Sequence, residues 1–277
     1  MIRARQRAID ASGGCIILAL VAMLIGCATS SMTSKPSAES VTELAPTGKL
    51  RAVINVGNPV LANNDPATGQ PRGVSVDLAR ELAKRLGVPL ETTVVTTAAL
   101  SVDALKSARV DIGFIAIDPV RAADMDFTAA YVLIEGAYMV PDASSIRSNG
   151  EVDRRGVRVG VGAGSAYDLF LTRELKQAEI VRAPTSQAVI DLLGAKRIDV
   201  VAGVKQQLES DAKRVPGMRM LDGRFMVIQQ AMATPKGRPA GAKYLTAFVE
   251  EMKASGFVAS ALERHGIEGA TVAPASK

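Results

Sequence analysis

The residue whose type and position best suit ligand binding is Arg121. Residues 112–117 form a short apolar run rich in β-branched side chains, which is typical of a buried strand. Asp118 is a favoured N-cap, and Pro119 is tolerated at the first helical position. Arg121 is therefore expected in a short helix beyond the carboxyl end of a strand, where open α/β sheets bind ligands. Its planar guanidinium offers paired donors that match a carboxylate.

Arg121 also has an ordinary structural interpretation. It could form a surface ion pair with Asp124 or Asp126, and such pairs are common and contribute little stability. Spacing alone favours neither interpretation.

A second candidate anion site lies in residues 157–167, which read VRVGVGAGSAY. A strand signal leads into a turn in which Ser165 is placed to cap the following helix. Backbone N–H groups of Gly164, Ser165 and Ala166 would then face an anion. The glycine spacing does not satisfy the Gly-x-Gly-x-x-Gly pattern, so the turn does not predict a dinucleotide site.

Strand and helix signals alternate around these two sites, which predicts an α/β fold with mostly parallel sheets. Strands are expected at 50–56, 90–95 and 157–162, and helices at 76–86, 102–109, 165–175 and 240–255. Two long apolar runs, 131–141 and 225–234, are expected to carry the chain from one lobe to a second and back. Residues 103–112 and 191–200 share Asp, Leu, Arg and Asp at identical offsets, which suits two lobes of similar build.

The amino-terminal segment has the features of an export signal. Residues 1–26 combine a basic start with an apolar run that is too short to span a bilayer comfortably. The run ends in Leu-Ile-Gly before Cys27, which looks like a bacterial lipobox and implies cleavage before Cys27 and lipidation of its thiol. An ordinary signal peptide or an uncleaved anchor is the alternative. Residues 27–47, rich in Ser, Thr and Ala, predict a flexible tether.

Composition argues against several classes of site. The chain has two cysteines, both in or at the end of the export signal, and one histidine, so neither a disulfide nor a Cys/His metal cluster is expected in the processed protein. His265 is expected at a helix end before Gly266. The net charge of +5 comes without a basic run, so no nucleic-acid surface is expected. We expect a monomer without a cofactor.

Several segments together resemble a known family. They are GKLRAV from Gly48, the helix 73–87, IDPVR at 117–121 and DFT at 126–128. Over residues 48–266 the chain resembles the extracellular solute-binding proteins of family 3, the receptors of ABC importers for polar amino acids. The resemblance implies a two-lobed periplasmic-binding-protein type II fold hinged by two crossover strands. It further implies a non-enzymatic periplasmic receptor, held to a membrane by its lipid, whose partners are the permease transmembrane subunits.

The resemblance also implies roles and boundaries. Arg121 would bind the ligand's carboxylate, and the turn at 164–166 would close over that carboxylate from the second lobe. The expected organisation is a signal peptide at 1–26, a tether at 27–47, a first lobe at 48–140, a second lobe at 141–226, a return to the first lobe at 227–270 and a tail at 271–277.

The chain departs from the family where the ligand's ammonium would bind. The usual Asp falls at Val204, followed by Lys205, and the usual Ser falls at Ala116. The region of the usual stacking aromatic holds Asn58, which we expect to make a polar ligand contact beside Ala116.

Glu135, within an apolar run, is the main candidate to hold the ammonium; Asp118 is a lesser one because it caps a helix. Glu135 could equally face solvent at a strand edge. We therefore predict a preference for organic acids, or for amino acids whose ammonium is masked or held by Glu135.

An enzyme is the alternative from another class. Periplasmic cyclohexadienyl dehydratases share the scaffold, and Glu135 would be the general acid, its pKa raised by burial. The sequence offers no nucleophile–base pair, metal set or cofactor motif for other chemistry.

Overall fold

Two long strands through the middle of the sheet organise the fold. The computed structural model describes residues 35–276. The strands are β1 (Leu50–Asn55), β2 (Asn63–Asn64), β3 (Pro71–Arg72), β4 (Leu90–Val95), β5 (Ile112–Ala116), β6 (Met125–Pro141), β7 (Arg158–Gly162), β8 (Glu179–Ala183), β9 (Val200–Val204), β10 (Met218–Met220), β11 (Met226–Pro235) and β12 (Thr271–Val272). The α-helices are α1 (Ala38–Leu44), α2 (Val74–Leu86), α3 (Ala98–Lys106), α4 (Pro119–Ala122), α5 (Ala166–Glu174), α6 (Val189–Gly194), α7 (Lys205–Arg214), α8 (Pro239–Ala254) and α9 (Phe257–Arg264).

The sheet has parallel strands on both sides of the antiparallel pair β6–β11. Its order is β4-β1-β5-β11-β6-β9-β7-β8, with β10 and β12 also pairing with β6. We call β4, β1 and β5 the first sheet half and β9, β7 and β8 the second sheet half; within each half the neighbours are parallel. The mixed α/β architecture predicted from the alternation is confirmed.

The predicted elements agree closely with the observed ones. β4 has its predicted bounds, and the runs expected to cross the molecule are β6 and β11. α2 ends before Gly87, which adopts the left-handed conformation that favours glycine. α3 begins four residues before its predicted start, because the Thr97 side chain caps it by accepting from the Leu100 N–H at 3.2 Å.

The repeated ten-residue pattern corresponds to two helix-to-strand turns with the same geometry. One joins α3 to β5 and the other joins α6 to β9. Ala108 and Lys196, which occupy equivalent positions in the pattern, both have a positive φ, 50° and 55°. The similarity therefore extends from the sequence to the backbone conformation of the turns.

Each repeated turn also carries a matching arginine–aspartate pair. Arg51 donates from Nε and from its backbone N–H to Asp111 Oδ2, and from Nη2 to Asp111 Oδ1 at 2.7 Å. Arg158 makes the same three bonds to Asp199. In each case the pair ties the first strand of a sheet half to the start of a neighbouring parallel strand.

The predicted flexible tether is wrong at its carboxyl-terminal end. Residues 38–44 form α1, whose Leu44 is fully buried. Glu43 Oε2 accepts from the Gly241 N–H at 2.7 Å, and Ser40 Oγ donates to the Ala240 carbonyl at 3.1 Å. Both contacts fix α1 to the start of α8.

The predicted tail also makes contacts, because Thr271 and Val272 pair with β6. The described residues form one compact unit, so the predicted lobe boundaries stay a prediction. The signal peptide and Cys27 lie outside the described residues. Within 35–276, no helix is both long and apolar enough to cross a membrane.

Candidate ligand-binding cleft

A cleft of about 840 Å³, open mouth included, lies where strands from both sheet halves end. Asn55, Ala116, Gly162 and Val204, the last residues of β1, β5, β7 and β9, all line it. The cleft is therefore at the carboxyl ends of the parallel strands, as expected for an open α/β sheet.

The side chain of Arg121 is buried in this cleft. Asp118 caps α4 by accepting from the Val120 N–H at 2.9 Å, and Arg121 follows within the same helix. Only 3% of Arg121 is exposed. Its Nη1 donates to the Ala116 carbonyl at 2.9 Å and its Nη2 to the Gly164 carbonyl at 2.8 Å. The guanidinium thus contacts both sides of the cleft.

The surface ion-pair interpretation of Arg121 is wrong. Asp124 pairs with Lys106 and Asp126 with Lys236, and no described carboxylate lies within ion-pair distance of the guanidinium. Burial lowers the pKa of Arg121 to about 10, although the charge of Asp118 opposes that shift. A buried cation with no carboxylate within ion-pair distance favours binding of an anion, because the anion would restore the interactions lost with water.

The two sides of the cleft are joined by further contacts beside Arg121. Arg173 on α5 donates to Asp118 Oδ2 at 2.9 Å. Gln187 Nε2 donates to the Gly57 carbonyl at 3.3 Å. Together with the Arg121–Gly164 bond, these contacts link the loops of the first sheet half to those of the second.

The second-side turn is built as predicted, but fewer of its N–H groups are available than expected. Ser165 caps α5 by accepting from the Asp168 N–H at 3.1 Å. The Gly164 N–H donates to Asp168 Oδ2 and the Ser165 N–H to the Gly162 carbonyl. The N–H of Ala166 is at the first helical position, where a helix provides no acceptor, and Ala166 lines the cleft.

Two more predicted residues line the cleft. Asn58 lies at its wall, with Oδ1 accepting from the Val60 N–H at 3.3 Å. Ala116 lies at the end of β5, where its carbonyl accepts a hydrogen bond from Arg121 Nη1. The structure thus brings Arg121, Asn58, Ala116, Ser165 and Ala166 together around one cavity, with Gly164 bonded to Arg121 at its edge.

The structure places Glu135 and Asp118 outside the residues that line the cleft. Glu135 forms ion pairs with Lys205 and Arg224, both at 2.8 Å, and these lower its pKa through hydrogen bonds. It therefore has neither the position to hold a ligand ammonium nor the raised pKa of a general acid. Lys205, bound to Glu135, does not line the cleft either. Asp118 is occupied by the helix cap and by Arg173.

Several cleft residues were missed by sequence reasoning. Tyr167 and Ser186 share a hydrogen bond on the second side. Gln207 and Asp211 lie four residues apart on α7 and are themselves hydrogen-bonded. Gln230 lies in β11. Two signals in the sequence could have found some of them. Gln207 and Asp211 have the i, i+4 spacing of one helix face shortly after Val204, and Gln230 is a polar residue inside the apolar run 225–234.

Asp211 bears directly on the predicted ligand preference, which rested on Val204 in place of the usual ammonium-binding acid, with Glu135 or Asp118 as possible replacements. It is buried, with Oδ1 accepting from Arg214 at 2.9 Å. It lies two helical turns, about 10 Å, beyond Val204, so it does not replace the ammonium-binding acid at that position. Among the described residues that line the cleft, Asp211 is the one acid, two helical turns along α7 from Val204.

Comparison with known proteins finds one family and one relative of similar sequence. Residues 51–267 match the family described as bacterial extracellular solute-binding proteins, family 3. The glutamine-binding protein of Geobacillus stearothermophilus is 25% identical over 231 residues, which cover 76% of this chain and 87% of that protein.

Two solved structures show the same fold. A mutant of ArgBP from T. maritima gives a TM-score of 0.70 at 22% identity, covering 83% of this chain and all of that one. An ancestral amino acid-binding protein, described as a precursor of cyclohexadienyl dehydratase, gives 0.68 at 24% identity, covering 81% of this chain and 98% of that one.

Proposed function

The chain belongs to the bacterial extracellular solute-binding proteins, family 3, and from this premise we propose that it is the substrate-binding component of an ABC importer. Its solute is a small molecule that carries a carboxylate. The observation that carries this proposal is Arg121, a buried guanidinium in a cleft, with no carboxylate of the described residues within ion-pair distance.

The hydrogen bonds of Arg121 leave room for that carboxylate. A guanidinium has five N–H groups, and Arg121 gives one from Nη1 and one from Nη2 to backbone carbonyls. The remaining three N–H groups are available to donate to a carboxylate, and the Ala166 N–H can add a donor from the second side.

Ligand binding would then favour the conformation in which the two sides of the cleft are in contact with each other. A ligand shifts a conformational equilibrium only by its difference in affinity for the two states. A solute held by Arg121 and by the 164–166 turn gains the second set of contacts only when the sides meet. Closure of the cleft about β6 and β11 is the change that the permease subunits would recognise. The receptor acts as a monomer.

No observation favours the dehydratase alternative. Its general acid was to be Glu135, which lies outside the cleft and has a lowered pKa. Likeness to the ancestral precursor of a dehydratase supports only the fold. We propose a binding protein rather than an enzyme.

A thermal-shift screen of the purified protein tests the proposal. The panel contains common amino acids and unsubstituted organic acids, each beside the primary amide of the same acid. Saturation at a hundred times the dissociation constant adds about 2.7 kcal/mol to the free energy of unfolding. We expect a raised Tm with at least one carboxylate and none with its amide. Equal stabilisation by acid and amide would contradict the proposal.

We further propose that the protein is exported and anchored through a lipid on Cys27. The support is the basic start, the short apolar run and the Leu-Ile-Gly-Cys27 ending. Cys27→Ser should leave an unprocessed precursor, because cleavage before a lipidated cysteine depends on that thiol. Mass spectrometry of the membrane fraction measures this. Fully processed, soluble protein from the variant would show instead that an ordinary signal peptidase acts.

A further inference from the structure

Asp118 is a buried acid close to the guanidinium that is proposed to bind a carboxylate. Only 4% of it is exposed, and it caps the helix that carries Arg121 three residues later. Its charge acts on Arg121, because it raises the pKa of that side chain against the effect of burial. A fixed negative charge there repels an incoming anion, and burial limits its screening by salt. Asp118 therefore opposes carboxylate binding unless a cation offsets its charge.

Arg173 provides such a cation from the other side of the cleft. Its Nη2 donates to Asp118 Oδ2 at 2.9 Å, while Asp118 Oδ1 accepts from the Val120 N–H. Arg173 lies in the last turn of α5, the helix that follows the 164–166 turn. Asp118 and Arg173 both lie outside the residues that line the cleft. The pair can therefore act on a ligand through its charges without contacting it.

The pair forms where the two sides of the cleft pack closely against each other. Gly164 on the second side has a φ of 69°, and a Cβ added to it would lie 3.0 Å from the Cβ of Ala99 on α3 of the first side. The Gly164 carbonyl also accepts from Arg121 Nη2 at 2.8 Å. The packing that places the 164–166 turn beside Arg121 thus also places Arg173 on Asp118.

We propose that Arg173 is a specificity-determining residue, which favours anionic ligands by offsetting the charge of Asp118 when the two sides of the cleft meet. Arg121 and Asp118 alone are one cation and one anion. Arg173 adds a second cation, so the three groups together carry a net charge of +1, which suits an anion. This inference rests on the proposed carboxylate-binding function. It predicts that the preference for an acid over its amide follows the net charge of the three groups.

A surface ion pair that contributes little is the ordinary alternative for Arg173, whose side chain is 40% exposed. Arg158 provides a matched control, because its side chain is 36% exposed and also pairs with an aspartate, Asp199. It lies at the amino end of β7, about 13 Å along the strand from Gly162, which lines the cleft. Arg158→Met therefore removes the same charge at a distance from the anion site.

The experiment is calorimetric titration of the purified protein with L-glutamine and L-glutaminamide, and with the other acid–amide pairs of the thermal-shift panel. The readout is the ratio of the affinity for the acid to that for its amide, because closure of the cleft affects both probes alike. Competition with the acid gives the affinity of a weakly bound amide. Arg173→Met should lower the ratio about 10-fold, as expected for the loss of one charge near the site. Arg173→Lys keeps the cation and should retain the ratio within about threefold, and Arg158→Met should leave it unchanged.

Asp118→Asn gives a second test that does not depend on a change at Arg173. Asn caps a helix as well as Asp does but carries no charge, so this variant should raise the ratio. Adding Arg173→Met to it removes both charges of the pair. The ratio should then return to within about threefold of the wild-type value.

Four outcomes would contradict the inference. Equal losses of affinity for acid and amide in Arg173→Met would mark a purely structural contact and overturn it. A ratio in the double variant as low as in Arg173→Met alone would show that Arg173 does not act by offsetting Asp118, and would overturn it as well. An unchanged ratio in Arg173→Met, with acid binding still dependent on Arg121, would overturn it while leaving the proposed function intact. No binding of any acid of the panel to wild type would overturn both.

Discussion

Asp111→Ala is expected to lower the free energy of unfolding by about 3–5 kcal/mol, the usual loss when one partner of a buried ion pair is removed. Asp111 is 0% exposed and binds Arg51 and Arg238 at 2.7 and 2.9 Å. The substitution leaves both guanidinium groups without their carboxylate at the start of β5. Urea unfolding of the ligand-free protein measures the change.

Asp199→Ala is the matched control for Asp111→Ala. Asp199 makes the same three bonds to a single arginine, Arg158, but its side chain is 38% exposed. Water can replace the lost partner, so the expected loss is about 1 kcal/mol or less. Equal losses of unfolding free energy in Asp111→Ala and Asp199→Ala would show that burial of the aspartate does not determine the size of the loss.

Arg121→Met is expected to weaken binding of any carboxylate found in the screen by roughly 30- to 5,000-fold. This range corresponds to the loss of one partner of a desolvated, hydrogen-bonded charge pair, about 2–5 kcal/mol. Methionine keeps the length and the apolar part of the side chain, so the cleft stays filled. Titration calorimetry measures the affinity, and circular dichroism shows that the variant is folded.

Arg121→Lys separates charge from geometry. It keeps a cation but loses the planar pair of donors and one of the bonds to the carbonyls of Ala116 and Gly164. Its affinity should lie between those of wild type and Arg121→Met. Wild-type affinity in Arg121→Met would mean that the ligand binds elsewhere in the cleft.

The parts of the site that could be predicted from sequence depend on local rules. The cap at Asp118, the short helix that carries Arg121 and the cap at Ser165 are each set by residues within four positions of one another. The repeated turns were visible for the same reason. Their backbone conformation follows from a helix end leading into a strand.

The parts that were missed depend on contacts between distant segments. Glu135 is bound by Arg224, 89 residues away, which no local pattern reveals. α1 docks on a segment 200 residues away, so its short, weakly periodic sequence looked like a tether. Gln230 was visible as a polar residue in an apolar run, but its exposure to the cleft depends on the register between β5 and β11.

The central claim is that a ligand carboxylate binds to Arg121, and a double-mutant cycle tests it most directly. Wild type and Arg121→Met are each titrated with the best carboxylate from the screen and with its primary amide. Such a cycle isolates the energy of the one pair that both changes affect. We predict a coupling of about 2 kcal/mol or more between Arg121 and the carboxylate. A coupling near zero, with acid and amide losing equal affinity in Arg121→Met, would contradict the claim.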